Sequence, residues 1–248
     1  MKYRLWTIKN QIYLNLFGHR NYNRFVVIGN ARTGSDYLFL GLKNSNCVRM
    51  HHEVFAEHNL EMAGKGFDQI FHMLFGKQNK NIKAVGFKLF YDHFTRDEWE
   101  KFLSYNDFKI IHLTRENCLR TIVSLDIAYK LDYWSTSTED KGRQPIEKRI
   151  WLDTSNLIGR LEQIKDYEAL IRRRFKDRHI LEVEYNKLIN KPKETFQRIG
   201  EYLDVNAIDF GKITVTKQNP ESLEQLIVNY DKVYQLLENT KFAKYLNS

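Results

Sequence analysis

The segment Gly29-Asn30-Ala31-Arg32-Thr33-Gly34-Ser35 sets two glycines five residues apart around an arginine and two hydroxyls. Those types suit an anion. A glycine lets backbone N–H groups approach a phosphate, and an arginine adds a planar, permanent charge. A helix starting there would contribute unpaired N–H donors and about half a positive charge. The glycine spacing is that of a triphosphate loop, but the next two residues are Ser35 and Asp36. Neither the lysine that grips β- and γ-phosphates nor the hydroxyl that holds Mg²⁺ stands in its place. The loop therefore suits a phosphate but not ATP hydrolysis. The same residues would also serve as an ordinary strand–helix turn, with Ser35 or Asp36 as N-cap.

Two further groups carry reactive side chains. Met50-His51-His52-Glu53-Val54-Phe55, with His58 downstream, offers a carboxylate and imidazoles within a few residues. The pattern lacks the H-E-x-x-H spacing of a zinc helix, so a metal is not read from it; a capped strand end with exposed histidines is the plain alternative. Lys88 interrupts the apolar run Val85-Gly86-Phe87-Lys88-Leu89-Phe90. A lysine buried there is costly without an anion beside it. Alternation puts Phe87 and Leu89 on one face and Lys88 and Phe90 on the other. Tyr91 and His93 follow, Tyr91 reading best as packing and His93 as a pocket residue.

These groups must be held by strand–loop–helix units. Phe25–Ile28 is a continuous apolar run and predicts a buried strand. Cys47–Met50, Lys83–Phe90, Lys109–Thr114 and His179–Tyr185 predict four more. Helical periodicity follows at Tyr37–Leu42, Asn117–Lys130, Pro145–Lys176 and Lys193–Leu203. Alternating strands and helices predict an α/β fold, a P-loop-like, doubly wound parallel sheet of about five strands flanked by helices. The length of 248 residues predicts a single domain over 1–248, with 1–22 as an N-terminal helical extension. Ser135–Gln144 is polar and reads as a loop.

Lys and Arg number 39 against 31 Asp and Glu, a net charge of +8. That excess suits an anionic ligand, a membrane surface or a nucleic acid. Cys47 and Cys118 form no metal or disulfide pattern, both are expected in the core, and a reducing, cytoplasmic setting is the default. No apolar run reaches the roughly 18 residues of a membrane span. Met1–Arg20 interleaves basic residues with aromatic and aliphatic ones, compatible with packing on the domain or with peripheral membrane contact.

The loop Ala31-Arg32-Thr33-Gly34-Ser35-Asp36-Tyr37-Leu38 resembles the 5′-phosphosulfate loop of sulfotransferases that use 3′-phosphoadenosine 5′-phosphosulfate (PAPS), most of all bacterial carbohydrate enzymes of the nodulation-factor and trehalose type. Arg115-Glu116-Asn117-Cys118-Leu119-Arg120, with Ser124 two turns into the next helix, resembles the family's 3′-phosphate motif. The resemblance implies that Arg32, Thr33, Gly34 and Ser35 hold the 5′-phosphate and sulfate, and that Arg115 and Ser124 hold the 3′-phosphate, with Arg120 assisting. Asp36 stands where the family carries a hydroxyl residue. Lys217, ahead of the C-terminal stretch Glu221–Leu237, is the candidate to close over the nucleotide. Val183-Glu184-Tyr185 resembles a structural stretch of the family.

Sulfonyl transfer needs a base for the acceptor hydroxyl and a cation at the leaving oxygen. By the resemblance, Glu53 is the base, His52 its rival, and Lys88 the cation. PAPS is then the donor, no metal is required, and a carbohydrate or glycolipid is the acceptor. The competing readings are a P-loop nucleotide kinase, which lacks its lysine here, and a basic domain binding an anionic surface without catalysis. Nucleic acid is not expected, because Arg32 and Arg115 sit at strand ends and RNA-type aromatic motifs are absent.

Overall fold

The computed structural model describes residues 13–134, 147–205, 208–211, 213 and 218–246. Five parallel strands form one sheet in the order β2-β3-β1-β4-β5. They are β1 Asn23–Gly29, β2 Val48–His51, β3 Ala84–Phe90, β4 Phe108–Thr114 and β5 Ile180–Glu184. The expected sheet is therefore present, with each strand within about two residues of its sequence reading.

β1 lies at the centre, which explains its continuous apolar sequence. Phe25 and Val27 pack with Leu38, Leu42, Val183, Phe196 and Ile199 on one face. Val26 and Ile28 pack with Phe87, Leu89, Phe71 and Phe102 on the other. Successive side chains alternate between faces, so both must be apolar. Much of the aromatic content gathers on the second face, where Phe67 and Phe71 stack at 4.4 Å. Such pairs contribute about 0.5–1.5 kcal/mol beyond burial.

Helices cover both faces: α1 Ser35–Asn44, α2 Phe67–Leu74, α3 Arg96–Ser104, α4 Cys118–Leu131, α5 Leu157–Arg174, α6 Tyr185–Asn190, α7 Pro192–Leu203, α8 Leu223–Leu226 and α9 Tyr230–Leu237. After β1 the chain runs outward to β2; after β4 it runs the other way to β5. The crevice beyond the ends of β1 and β4 is thus the topological switch point, where open α/β sheets bind ligands.

Two expectations need correction. The helix expected from Pro145 begins only at Leu157. Ahead of it, Ile150 forms a parallel bridge with Ile227, through Ile150 N to Leu226 O at 2.9 Å and Val228 N to Ile150 O at 2.8 Å. Ile150 and Leu152 are buried while Trp151 between them is exposed, a two-residue period rather than a helical one. The same bridge separates α8 from α9 in the C-terminal stretch. Cys118 is in the core, but Cys47 is only half-buried.

Helices α2 and α3 had not been read from the sequence. Thr95 and Glu98 cap α3 reciprocally, a signal visible in Thr-x-x-Glu. Residues 13–17 are helical, and His19 bridges to Gln78, so this end of the N-terminal stretch packs on the domain. Tyr13, Leu16 and Phe17 are nonetheless exposed. No helix among the described residues is long and apolar enough to cross a membrane. The loop Ser135–Gln144 and Lys217 lie outside the described residues.

Candidate active site

The loop after β1 turns twice through left-handed backbone. Arg32 has φ 64° and Gly34 φ 85°. Such conformations aim successive N–H groups into a concavity. Thr33 is buried and its hydroxyl donates to Asn30 O at 2.7 Å, so it shapes the loop rather than facing outward. Gly34 precedes α1, and Ser35 and Asp36 open its first turn. A side chain at Gly34 is excluded twice: by the positive φ, and by the Tyr185 ring, which would stand 2.6 Å from a Cβ.

The second motif faces this loop. Asn117 caps α4 by accepting from Arg120 N at 2.9 Å, which fixes where the helix starts after β4. Arg115 is buried; its Nη1 donates to Arg32 O at 3.2 Å and its guanidinium lies 4.5 Å from the Tyr185 ring centre. Two turns into α4, Ser124 Oγ accepts from Arg32 Nε at 3.0 Å and from Asn219 Nδ2 at 3.1 Å. Both contacts use lone pairs, which leaves the serine O–H to donate. Arg32, Arg115, Arg120 and Ser124 line one cleft with Tyr185, Asn219 and Trp134. Burial, with Arg32 and Arg120 nearby, pushes the Arg115 guanidinium below the usual arginine range; Arg32 is lowered by burial as well. Cations converging on a half-enclosed cleft, together with the loop's N–H groups, fit a polyanion bearing two phosphate groups.

The third group adjoins the loop through α1. Lys88 projects from β3, which pairs with β1, and is only 2% exposed. Its Nζ lies 2.6 Å from Glu53 Oε1, 2.7 Å from Asp36 Oδ1 and 3.2 Å from His52 Nε2. The two carboxylates accept from the ammonium, and Ser35 Oγ stands at 3.5 Å. Asp36, His52 and Glu53 bring ligand atoms within 4.8 Å of one another, a spacing a metal ion could use, and the Lys88 ammonium sits within bonding reach of all three. Burial alone would raise the Asp36 carboxyl, but the His52 hydrogen bond and the Lys88 charge outweigh it and hold it well below the ordinary range.

The histidines separate. His52 packs edge-on against Phe39 and is half-exposed, and His58 Nε2 approaches Glu53 Oε2 at 3.5 Å. His51 turns away: its Nε2 is buried with no hydrogen-bond partner among the described residues, and burial lowers it to about 4. His93 Nδ1 accepts from Phe90 N at 3.3 Å, and burial lowers its ring too. Tyr91 packs, as expected, stacked on Tyr167 with its hydroxyl 2.8 Å from His112 Nε2.

The structure therefore brings Arg32, Gly34, Ser35, Arg115 and Ser124 around one cleft, and Glu53, Lys88 and His52 into one cluster beside it. Asp36 lines the cleft yet bonds into the Lys88 cluster. Sequence reasoning missed Tyr185, Asn219 and Trp134. Tyr185 had been read as structural, and only the close approach of β5 to Gly34 gives it a place in the cleft; Asn219 sits two residues beyond Lys217, in a stretch already singled out.

No family model matches the chain. It is 21% identical over 232 residues to nodulation protein H of Rhizobium tropici, covering 89% of this chain and 92% of that protein. Its fold matches that of a sulfotransferase from Alicyclobacillus acidocaldarius with a TM-score of 0.55 at 14% identity, covering 90% of this chain and 92% of the other. The chain thus has the fold of that sulfotransferase and is similar in sequence, over nearly its whole length, to nodulation protein H.

Proposed function

We propose that this protein is an enzyme that transfers a sulfonyl group from PAPS to a hydroxyl of a carbohydrate or glycolipid acceptor. The observation that carries the reading is the junction of the two phosphate motifs, Arg32 of the loop bonded to Ser124 of α4, beside the buried Lys88–Glu53 pair. The residues fit the donor's charge. Arg32, Ser35 and the N-terminal N–H groups of α1 face a 5′-phosphosulfate, and Arg115, Ser124 and Arg120 face a 3′-phosphate. Lys217 is retained as a proposed closing residue.

In this reading Glu53 takes the proton from the acceptor hydroxyl. The acceptor oxygen forms a bond to sulfur while the bond from sulfur to the 5′-phosphate oxygen breaks. The products are a sulfate ester, 3′-phosphoadenosine 5′-phosphate (PAP) and a protonated Glu53. Lys88 meets the charge that develops on the leaving oxygen. It must loosen its hold on Glu53 to do so, and arriving phosphosulfate oxygens supply the replacement anion. No step requires a metal.

The carbohydrate acceptor rests on the likeness to bacterial carbohydrate enzymes. The exposed Tyr13, Leu16 and Phe17 support peripheral contact with a membrane on the cytoplasmic side.

Calorimetric titration with PAP in the absence of Mg²⁺ tests the reading. Tight binding that is lost in Arg115→Ala is expected. Stronger binding of ATP with Mg²⁺ would overturn it in favour of a nucleotide kinase.

A further inference from the structure

Asp36 occupies a position where the resembling loops carry a hydroxyl residue; its carboxylate bonds to Lys88 while lying near enough to Arg32 to act on its charge. It meets Lys88 Nζ at 2.7 Å, and Glu53 Oε1 lies 2.6 Å from the same nitrogen. One carboxylate comes from α1, the other from the loop after β2, and the lysine from β3 between them. A lysine is a point charge on a flexible four-carbon stem. The second carboxylate, in the first turn of α1 with Ser35, adds a restraint toward the phosphate loop.

The same carboxylate lines the cleft that holds Arg32, Arg115 and Ser124. Its negative charge in the first turn of α1 suits the helix, yet opposes any polyanion in the cleft. A neutral hydroxyl at this position would do neither.

We propose that Asp36 is a positioning residue for Lys88, holding its ammonium between the phosphate loop and Glu53 at the expense of affinity for the donor and for its bisphosphate product. The inference rests on the sulfotransferase reading above. It also gives the departure from the family pattern a purpose, since weaker product binding speeds release.

Two measurements on the full chain test it. The first is PAP affinity by calorimetry for wild type, Asp36→Asn, Asp36→Ser and Asp36→Glu. Removing the charge is expected to tighten PAP binding about 5- to 10-fold, the scale of a unit charge several ångströms away at a partly screened site, while Asp36→Glu stays within about twofold of wild type. The second is the lysine ammonium ¹H–¹⁵N spectrum, with Lys88 assigned by its loss in Lys88→Met. Its signal is expected to be sharp in wild type, where two carboxylates and burial slow proton exchange. It is expected to broaden in Asp36→Asn and return in Asp36→Glu. Thermal melting identifies any variant that fails to fold, and Asp36→Ser then stands in for Asp36→Asn.

Unchanged or weaker PAP binding in the neutral variants, or an unaltered Lys88 signal, overturns the proposal alone. If the wild type binds no PAP, the donor reading fails and this inference falls with it.

Discussion

Arg32 Nε donates to Ser124 Oγ at 3.0 Å, joining side chains 92 positions apart in the chain. The arginine sits in a left-handed turn after β1 and the serine two turns into the helix after β4. The bond ties the two phosphate motifs together across the switch point. It also orients the serine, because an oxygen that already accepts twice has its proton left to give.

Ser124→Ala removes that hydroxyl and leaves Arg32 and Asn219 without their shared acceptor. PAP affinity is expected to fall about 5- to 10-fold, for a loss near 1 kcal/mol. Arg115→Ala is expected to cost more, about 2–3 kcal/mol or 30- to 150-fold, because its bonds to phosphate are charge-assisted. Calorimetry on both variants measures the difference; equal small effects would remove the 3′-phosphate from this corner.

Glu53→Gln keeps the size of the side chain and removes the base. Turnover of PAPS in the presence of a hydroxyl-bearing carbohydrate acceptor is expected to drop at least about 100-fold, with PAP binding nearly intact. Near-normal turnover would move the role to His52, or to His93.

Gly34→Ala tests the loop geometry. The new Cβ would stand 2.6 Å from the Tyr185 ring at φ 85°. A stability loss of about 1–3 kcal/mol is expected, together with weaker PAP binding. Pairing it with Tyr185→Ala should recover part of the clash but none of the backbone strain, which a double-mutant cycle of melting temperatures can separate.

Glu182 sets an acid limit on stability. Burial raises its carboxyl, but hydrogen bonds from His112 and Arg172 outweigh this and lower it from 4.5 to about 2. A carboxyl with a depressed folded value stabilises fully above its unfolded value. That contribution is lost as pH falls from about 4.5 to about 2. The group is 42% exposed, so screening reduces its worth to about 1 kcal/mol. Chemical denaturation of Glu182→Gln should show that difference at pH 6 and none near pH 2. An unchanged profile would mean that the His112–Glu182–Arg172 network carries no net stability.

The division between sequence and tertiary structure follows physical lines. Apolar runs bounded by turn residues dictate strands locally, so all five, and the loop between Phe25 and Leu38, were legible. The missing Walker lysine was legible too, because it is a matter of residue type. Lys88 announced itself as a cation in an apolar strand. One local signal misleads: the alternation at Ile150 and Leu152 falls inside a helical reading, because the partner that makes Ile150 extended, Ile227, lies 77 residues away. Only the folded chain decided what Asp36 does. Its neighbours in sequence make it a helix-start residue beside a phosphate. The pairing of β3 with β1 brings Lys88 to it, and the end of β2 brings Glu53 to the same nitrogen. Partners that far apart in the chain leave no periodicity to read, and their choice rests on sheet order and register.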